Sequence, residues 1–140
     1  MSIIEAVIAS LGSGLPVLLV HLAAALGLLA VGAASYMALT PFNERQLVAE
    51  GNAAAGTVLA GALIGLALPL AATLASSEAL LDILLWGLVA IVLQLLALVA
   101  TRFLVGDLGP RIQAGSVAAA LPVVGVQVAT GLLNAAAMAG

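Results

Sequence analysis

Residues 51–75 read GNAAAGTVLAGALIGLALPLAATLA, without one charged side chain. At about 1.5 Å per helical residue, such a run reaches across the roughly 30 Å of hydrocarbon in a bilayer. No water is available there to a free N–H or C=O, so the run must be a helix, which satisfies its own backbone. Residues 15–39, 80–104 and 115–138 repeat the pattern, each long and mostly apolar. The alternation of polar and apolar residues that marks a membrane barrel is missing. The expected fold is all-α, an integral membrane four-helix bundle.

Composition agrees. The chain has 140 residues, 65% hydrophobic and 6% charged, with a mean hydropathy of +1.36. So few polar side chains cannot coat a water-soluble globule of this size, and the lipid bilayer is the first expected partner. The three cationic residues, Arg45, Arg102 and Arg111, are too few for the basic patch that nucleic acid requires. The lack of cysteine removes disulfides, thiol catalysis, thiolate metal sites and a lipoprotein anchor together. There is no His-Glu-x-x-His pair, phosphate-binding glycine loop or Gly-x-Ser-x-Gly elbow. No enzyme activity, cofactor or metal is expected.

Ahead of the first span, Ser2 and Glu5 have capping-box spacing, and Ile3, Ile4, Val7, Ile8 and Leu11 share a stripe. Residues 1–14 are read as a short interfacial helix, broken from the first span by Gly12, Ser13, Gly14 and Pro16. This start lacks the basic n-region of a secretory signal, so no cleavage is expected.

Between the first two spans, Thr40-Pro41-Phe42-Asn43-Glu44-Arg45 stops one helix at proline and offers Asn43 as the cap of a new turn. Gly106, Asp107, Gly109 and Pro110 play that part between the last two. A shift of 64 residues lays Asn43 on Asp107, Gly51 on Gly115, Asn52 on Ser116 and Gly61 on Gly125. The chain reads as a single membrane domain of two tandem helix-loop-helix repeats, 15–75 and 80–138, in parallel orientation. All three arginines sit in or beside the first and third loops, while the second carries only Glu78 and Asp82. By the positive-inside rule the arginine-bearing loops face the cytoplasm and both termini the periplasm.

Thr40-Pro41-Phe42-Asn43-Glu44, then Glu50-Gly51-Asn52-Ala53-Ala54-Ala55, Ala67-Leu68-Pro69-Leu70, Trp86-Gly87 with Gln94, and Gly131-Leu132-Leu133-Asn134-Ala135-Ala136 together resemble the YjfL-like family of small bacterial inner-membrane proteins. The resemblance covers most of the chain. It departs where Gly115-Ser116 stands in place of a second Gly-Asn pair. It implies a four-span protein of a domain-of-unknown-function class and brings no activity with it.

Three groups of residues stand out. On the second span Thr57, Gly61 and Gly65 lie four apart, a small-residue helix-packing face for a neighbour in the chain or in another subunit. His21, Gln94, Gln127 and Asn134 are the candidate polar residues within the membrane. By rise per residue Gln94 and Gln127 share a depth near the midplane, and His21 and Asn134 share one in the outer halves, so each pair is expected to meet. At the cytoplasmic end Asn43, Glu44, Arg45, Glu50, Asn52 and Arg111 form the densest polar group, a docking surface with ion pairs Glu44–Arg45 or Glu50–Arg111. The favoured reading is a structural or interaction component of a membrane assembly, with a homo-oligomer or a cytoplasmic or membrane protein as partner. The alternative is a small oligomeric channel or carrier lined by the intramembrane polar residues.

Overall fold

The computed structural model describes residues 2–140. Six helices follow in order: α1 Ile3–Leu39, α2 Glu44–Ala49, α3 Ala53–Ser76, α4 Leu80–Val105, α5 Gly109–Gln113 and α6 Val117–Ala139. Of these, α1, α3, α4 and α6 are long and apolar enough to cross a membrane. The short α2 and α5 lie at one end of the bundle, called here the arginine end, and lead into α3 and α6.

Helices in lipid gain nothing from hiding grease, so close van der Waals approach selects the partners. The tightest pair is α3 and α6. Pro69 has no N–H to offer the Gly65 carbonyl, and that oxygen lies against Gly131, where a side chain would strike the α3 backbone. The small strip on α3 thus meets α6 of the same chain, with Gly61 against Val124 and Gly65 against the Gln127 carbonyl. Thr57, half-buried, turns its hydroxyl back to the Ala53 carbonyl at 2.7 Å. α4 packs on α1, α3 and α6, and α1 packs on α3 and α4. In cross-section this is a rhombus, with α3 and α4 on the short diagonal and α1 and α6 at the far corners.

Two buried clusters fill it. Tyr36, Val58, Leu98, Ile112 and Val123 centre the one at the arginine end, and Leu28, Leu66, Leu70, Ile83 and Ile91 form the one beyond the midplane. α1 joins the second by setting Leu28 into the space left by Gly87.

The expected break after residue 14 does not occur. α1 runs unbroken for 37 residues through Gly12, Gly14 and Pro16, and begins with the Ser2–Glu5 capping box. The cost of the proline is local: its ring denies a hydrogen bond to the carbonyl of residue i−4, here Gly12, and helices in lipid tolerate such a loss through small backbone adjustments and Ser or Thr side chains. Ser13 meanwhile donates to the Ala9 and Ser10 carbonyls at 3.1 and 3.2 Å. The apolar stripe Ile3, Ile4, Val7, Ile8 and Leu11 is therefore part of one long helix, exposed along its first half.

The turns entering α3 and α6 are built alike. Gly51 and Gly115 adopt φ of 85° and 89°, a conformation other residues resist. Gly51 N–H donates to Val48 O and Asn52 N–H to Leu47 O; Gly115 N–H donates to Ile112 O and Ser116 N–H to Arg111 O, all within 2.8–3.0 Å. Both are Schellman closures, each followed at once by a side-chain cap. Asn52 accepts from Ala55 N–H and Ser116 from Ala119 N–H, at 3.0 and 3.4 Å.

Candidate functional site

At the arginine end the first loop folds inward. Asn43 Oδ1 accepts from Gln46 N–H at 3.1 Å and starts α2. That places Glu44 in the first turn, where the helix dipole favours an acid. Its side chain turns into the protein and is only 1% exposed, as is Tyr36 of α1. Neither the Tyr36 hydroxyl nor Glu44 Oε1 has a hydrogen-bond partner. Burial pushes the Glu44 carboxyl above its ordinary range; the Thr40 hydroxyl, its own backbone N–H and the Arg102 charge oppose this less strongly. Arg102 donates through Nη2 to the Leu39 carbonyl at 2.7 Å, so the cation sits on the C-terminal end of α1, where a positive charge suits the dipole. Beside Tyr36, Thr101 and Arg102 is a cavity of about 40 Å³, room for water.

The loops of the two halves are joined by an amide. Asn52 Nδ2 donates to Ile112 O at 3.1 Å and to Gln113 O at 3.0 Å, while its oxygen caps α3. The expected ion pairs give way to other partners. Glu50 Oε1 accepts from Gln46 Nε2 at 2.8 Å rather than turning to Arg111, and Glu44 is buried while its neighbour Arg45 is exposed. Of the six residues read as a docking surface, Asn43, Arg45, Glu50 and Arg111 are exposed, Asn52 is half-buried as a clamp, and Glu44 is inside. Sequence reasoning passed over Arg102 as a positioning residue, although a basic residue in the last turn of α4 is the signal for a helix-end contact.

Near the midplane the two glutamines do meet. Gln94 Nε2 donates to the Gln127 backbone carbonyl and to its Oε1, both at 2.7 Å, with both residues wholly buried. Gly65 makes the room, since a Cβ there would collide with Gln94 Nε2 and stand 2.6 Å from the Gln127 carbonyl oxygen. Gln94 Oε1 and Gln127 Nε2 are left without partners. Neither glutamine lines the cavities of about 40, 520 and 480 Å³ near the two ends of the bundle.

His21 and Asn134 do not pair. His21 is on α1 and Asn134 on α6, at opposite corners of the rhombus, and Asn134 Nδ2 has no partner. Their equal depth was the basis for joining them, and depth does not specify which helices are neighbours. Among the described residues no cluster of three or more His, Asp or Glu side chains is placed to hold a metal.

The chain matches the family described as Domain of Unknown Function (DUF350) over residues 10–138. It is 33% identical over 103 residues to the UPF0719 inner membrane protein YjfL of Escherichia coli strain K12, covering 74% of this chain and 78% of that one, and equally so to its counterpart in Escherichia coli O157:H7. No solved structure is significantly similar. Four apolar spans, the ordered Thr-Pro-Phe-Asn-Glu and Glu-Gly-Asn segments and these matches converge: the chain belongs to the DUF350 family and is a multi-pass inner-membrane protein.

Proposed function

We propose that this protein is a non-catalytic structural or interaction component of an inner-membrane assembly, and that it presents the arginine end to its partner. The observation that carries this reading is the Asn52 clamp. By bonding two carbonyls of the opposite loop, it holds α2 and α5 as one platform, from which Arg45, Glu50 and Arg111 project into solvent. A surface whose backbone is fixed in advance loses less entropy on docking than a pair of free loops.

Two features belong to the same reading. The matched Schellman turns and caps, 64 residues apart, support descent of the halves from a tandem duplication in parallel orientation. The arginines favour a cytoplasmic arginine end, with both termini in the periplasm. Because the chain has no cysteine, single replacements at Gln113 and Ser77 give a direct measurement with an impermeant thiol reagent. Labelling of the Gln113 variant in intact spheroplasts would reverse the orientation.

The docking test neutralises Arg45 and Arg111 to Gln together. Site-specific crosslinking from a cysteine at Gln113 should lose its products, while insertion and thermal stability stay unchanged; identical products in the double variant refute the platform. The channel reading has less support, because Gln94 and Gln127 are wholly buried and line none of the cavities near the two ends. Its signature is solute flux in proteoliposomes that falls with Gln94→Leu.

A further inference from the structure

At the end opposite the arginines a groove of about 520 Å³ opens between the last turn of α3, the start of α4 and the end of α6. Its chemistry is one-sided. Asp82 is the only charged side chain lining it, and all three arginines belong to the other end of the bundle. With no basic neighbour, the carboxylate sets a negative potential in a site walled by low-dielectric protein. The hydroxyls add to it. Thr73 Oγ1 donates to the Pro69 carbonyl and Ser76 Oγ to the Ala72 carbonyl, each at 2.9 Å, so both hydrogens are engaged and only lone pairs remain to offer a ligand. One turn along α4 from Asp82, and on the same face, the Trp86 indole is about half exposed in the groove, and the face of an indole attracts cations.

The remaining lining points to the other features of the ligand. Asn134 also lines the groove; its Nδ2 is buried, which leaves the amide Oδ1, an acceptor suited to an ammonium hydrogen, on the groove side. Farther in, Val89 and Leu93 continue the α4 wall. Leu93 stands about 16 Å along the helix from Asp82 at 1.5 Å per residue, roughly the thickness of one leaflet of hydrocarbon. A cation site at the membrane surface, a further acceptor just inside and an apolar track one leaflet deep describe an amphiphile with an ammonium head. We propose that this groove binds one amine-headed phospholipid. Its ammonium lies between the Asp82 carboxylate and the Trp86 ring, with Asn134 Oδ1 as a further acceptor in the groove, and one chain runs along Val89 and Leu93.

Trp86 is the single tryptophan of the chain, so the fluorescence comes from one position on the groove wall, and the difference between two lipids at equal mole fraction separates groove binding from general contact with the bilayer. The full-length protein is placed in phosphatidylglycerol nanodiscs carrying a fixed mole fraction of chain-brominated lipid, either phosphatidylethanolamine or phosphatidylglycerol. The brominated phosphatidylethanolamine should quench Trp86 about two- to fivefold more strongly. That preference should vanish in Asp82→Asn and persist in Glu78→Gln, which removes the same charge from an exposed turn residue outside the groove. Equal quenching by the two lipids overturns the proposal, as does a preference that survives Asp82→Asn or is lost equally in Glu78→Gln; the last result would mean that overall charge and not the groove selects the lipid.

Discussion

Replacing Gly131 by alanine tests what holds the bundle together. The added methyl carbon would lie 2.8 Å from the Gly65 Cα and 2.9 Å from its carbonyl carbon, with the Gly65 oxygen nearer still. Carbon atoms rest at about 3.5–4.0 Å, so α3 and α6 must separate locally by roughly 0.6 Å or more. No side chain can rotate to absorb this, because backbone faces backbone on both sides. The displacement also reaches the Gln94–Gln127 pair, which is seated against Gly65. Overpacking of this kind costs about 1–3 kcal/mol. Gly125→Ala is the matched control on the same helix, since its Cβ meets nothing within 4 Å and alanine is the better helix former by up to about 1 kcal/mol. Reversible unfolding in bicelles, followed by steric trapping, should rank Gly131→Ala well below wild type and Gly125→Ala at or above it. Equal stabilities for the two alanine variants would show that the close approach of α3 and α6 does not support the fold.

Gln94→Leu should lower stability by about 0.6–2 kcal/mol, and the Gln94→Leu/Gln127→Leu double variant should recover part of the loss, because removing both polar partners leaves fewer buried groups unsatisfied; a purely additive double-mutant cycle would disprove the coupling. Glu44 has a native pKa above its ordinary value near 4.5, so the folded state binds its proton more tightly than the unfolded state does. Stability is therefore fullest below that ordinary value and declines as pH rises through the window up to the raised native one; Glu44→Gln should flatten the decline, and an unchanged pH profile would mean the carboxyl is not desolvated. Asn52→Ala removes a helix cap and the link between the loops; it should cost about 0.5–2 kcal/mol through the cap and speed hydrogen exchange across residues 112–116, and unaltered exchange there would show that the clamp does not fix the loops.

What the sequence discloses and what it conceals divide along one physical line. The spans were readable because length and hydropathy are properties of a single segment, and Asn43 marked a helix start because a cap acts within three residues. The Gln94–Gln127 pairing was also within reach, as depth follows from rise per residue. Lateral position is different. An alanine against lipid and one against α6 look alike in composition, so the strip at Gly61 and Gly65 announced a packing face without naming its partner, and His21 was matched to Asn134 across a corner where no contact forms. Glu44 was misread for the same reason: a carboxylate in a polar loop reads as solvated, and its burial depends on tertiary packing that brings Tyr36 of α1 near it. The run to Pro16 was misjudged by applying the rule for helices in water, since a helix in lipid has no competing solvent for its backbone and accommodates Gly and Pro.

That line also identifies the most weakly attached element. α3, α4 and α6 are held to one another by backbone contacts at Gly65 and Gly131 and by the buried amide pair, interactions that fix both depth and rotation. α1 has nothing equivalent. It leans on α3 and α4 through Leu28, seated at Gly87, and through the approach of Gly32 to Leu66 and Ile91, contacts that can re-form after a small slide. Its polar tie is the Arg102 bond to the Leu39 carbonyl, at an exposed end. Lipid solvates a departing apolar helix as well as the bundle does, so little hydrophobic free energy opposes its movement. The burial of Tyr36 and Glu44 depends on α1 remaining in place, since Tyr36 belongs to α1 and Glu44 follows it by a short loop. Any displacement of α1 must therefore alter the solvation of Glu44, whose proton affinity burial has raised, and the long exposed helix and the platform at the arginine end are mechanically one unit.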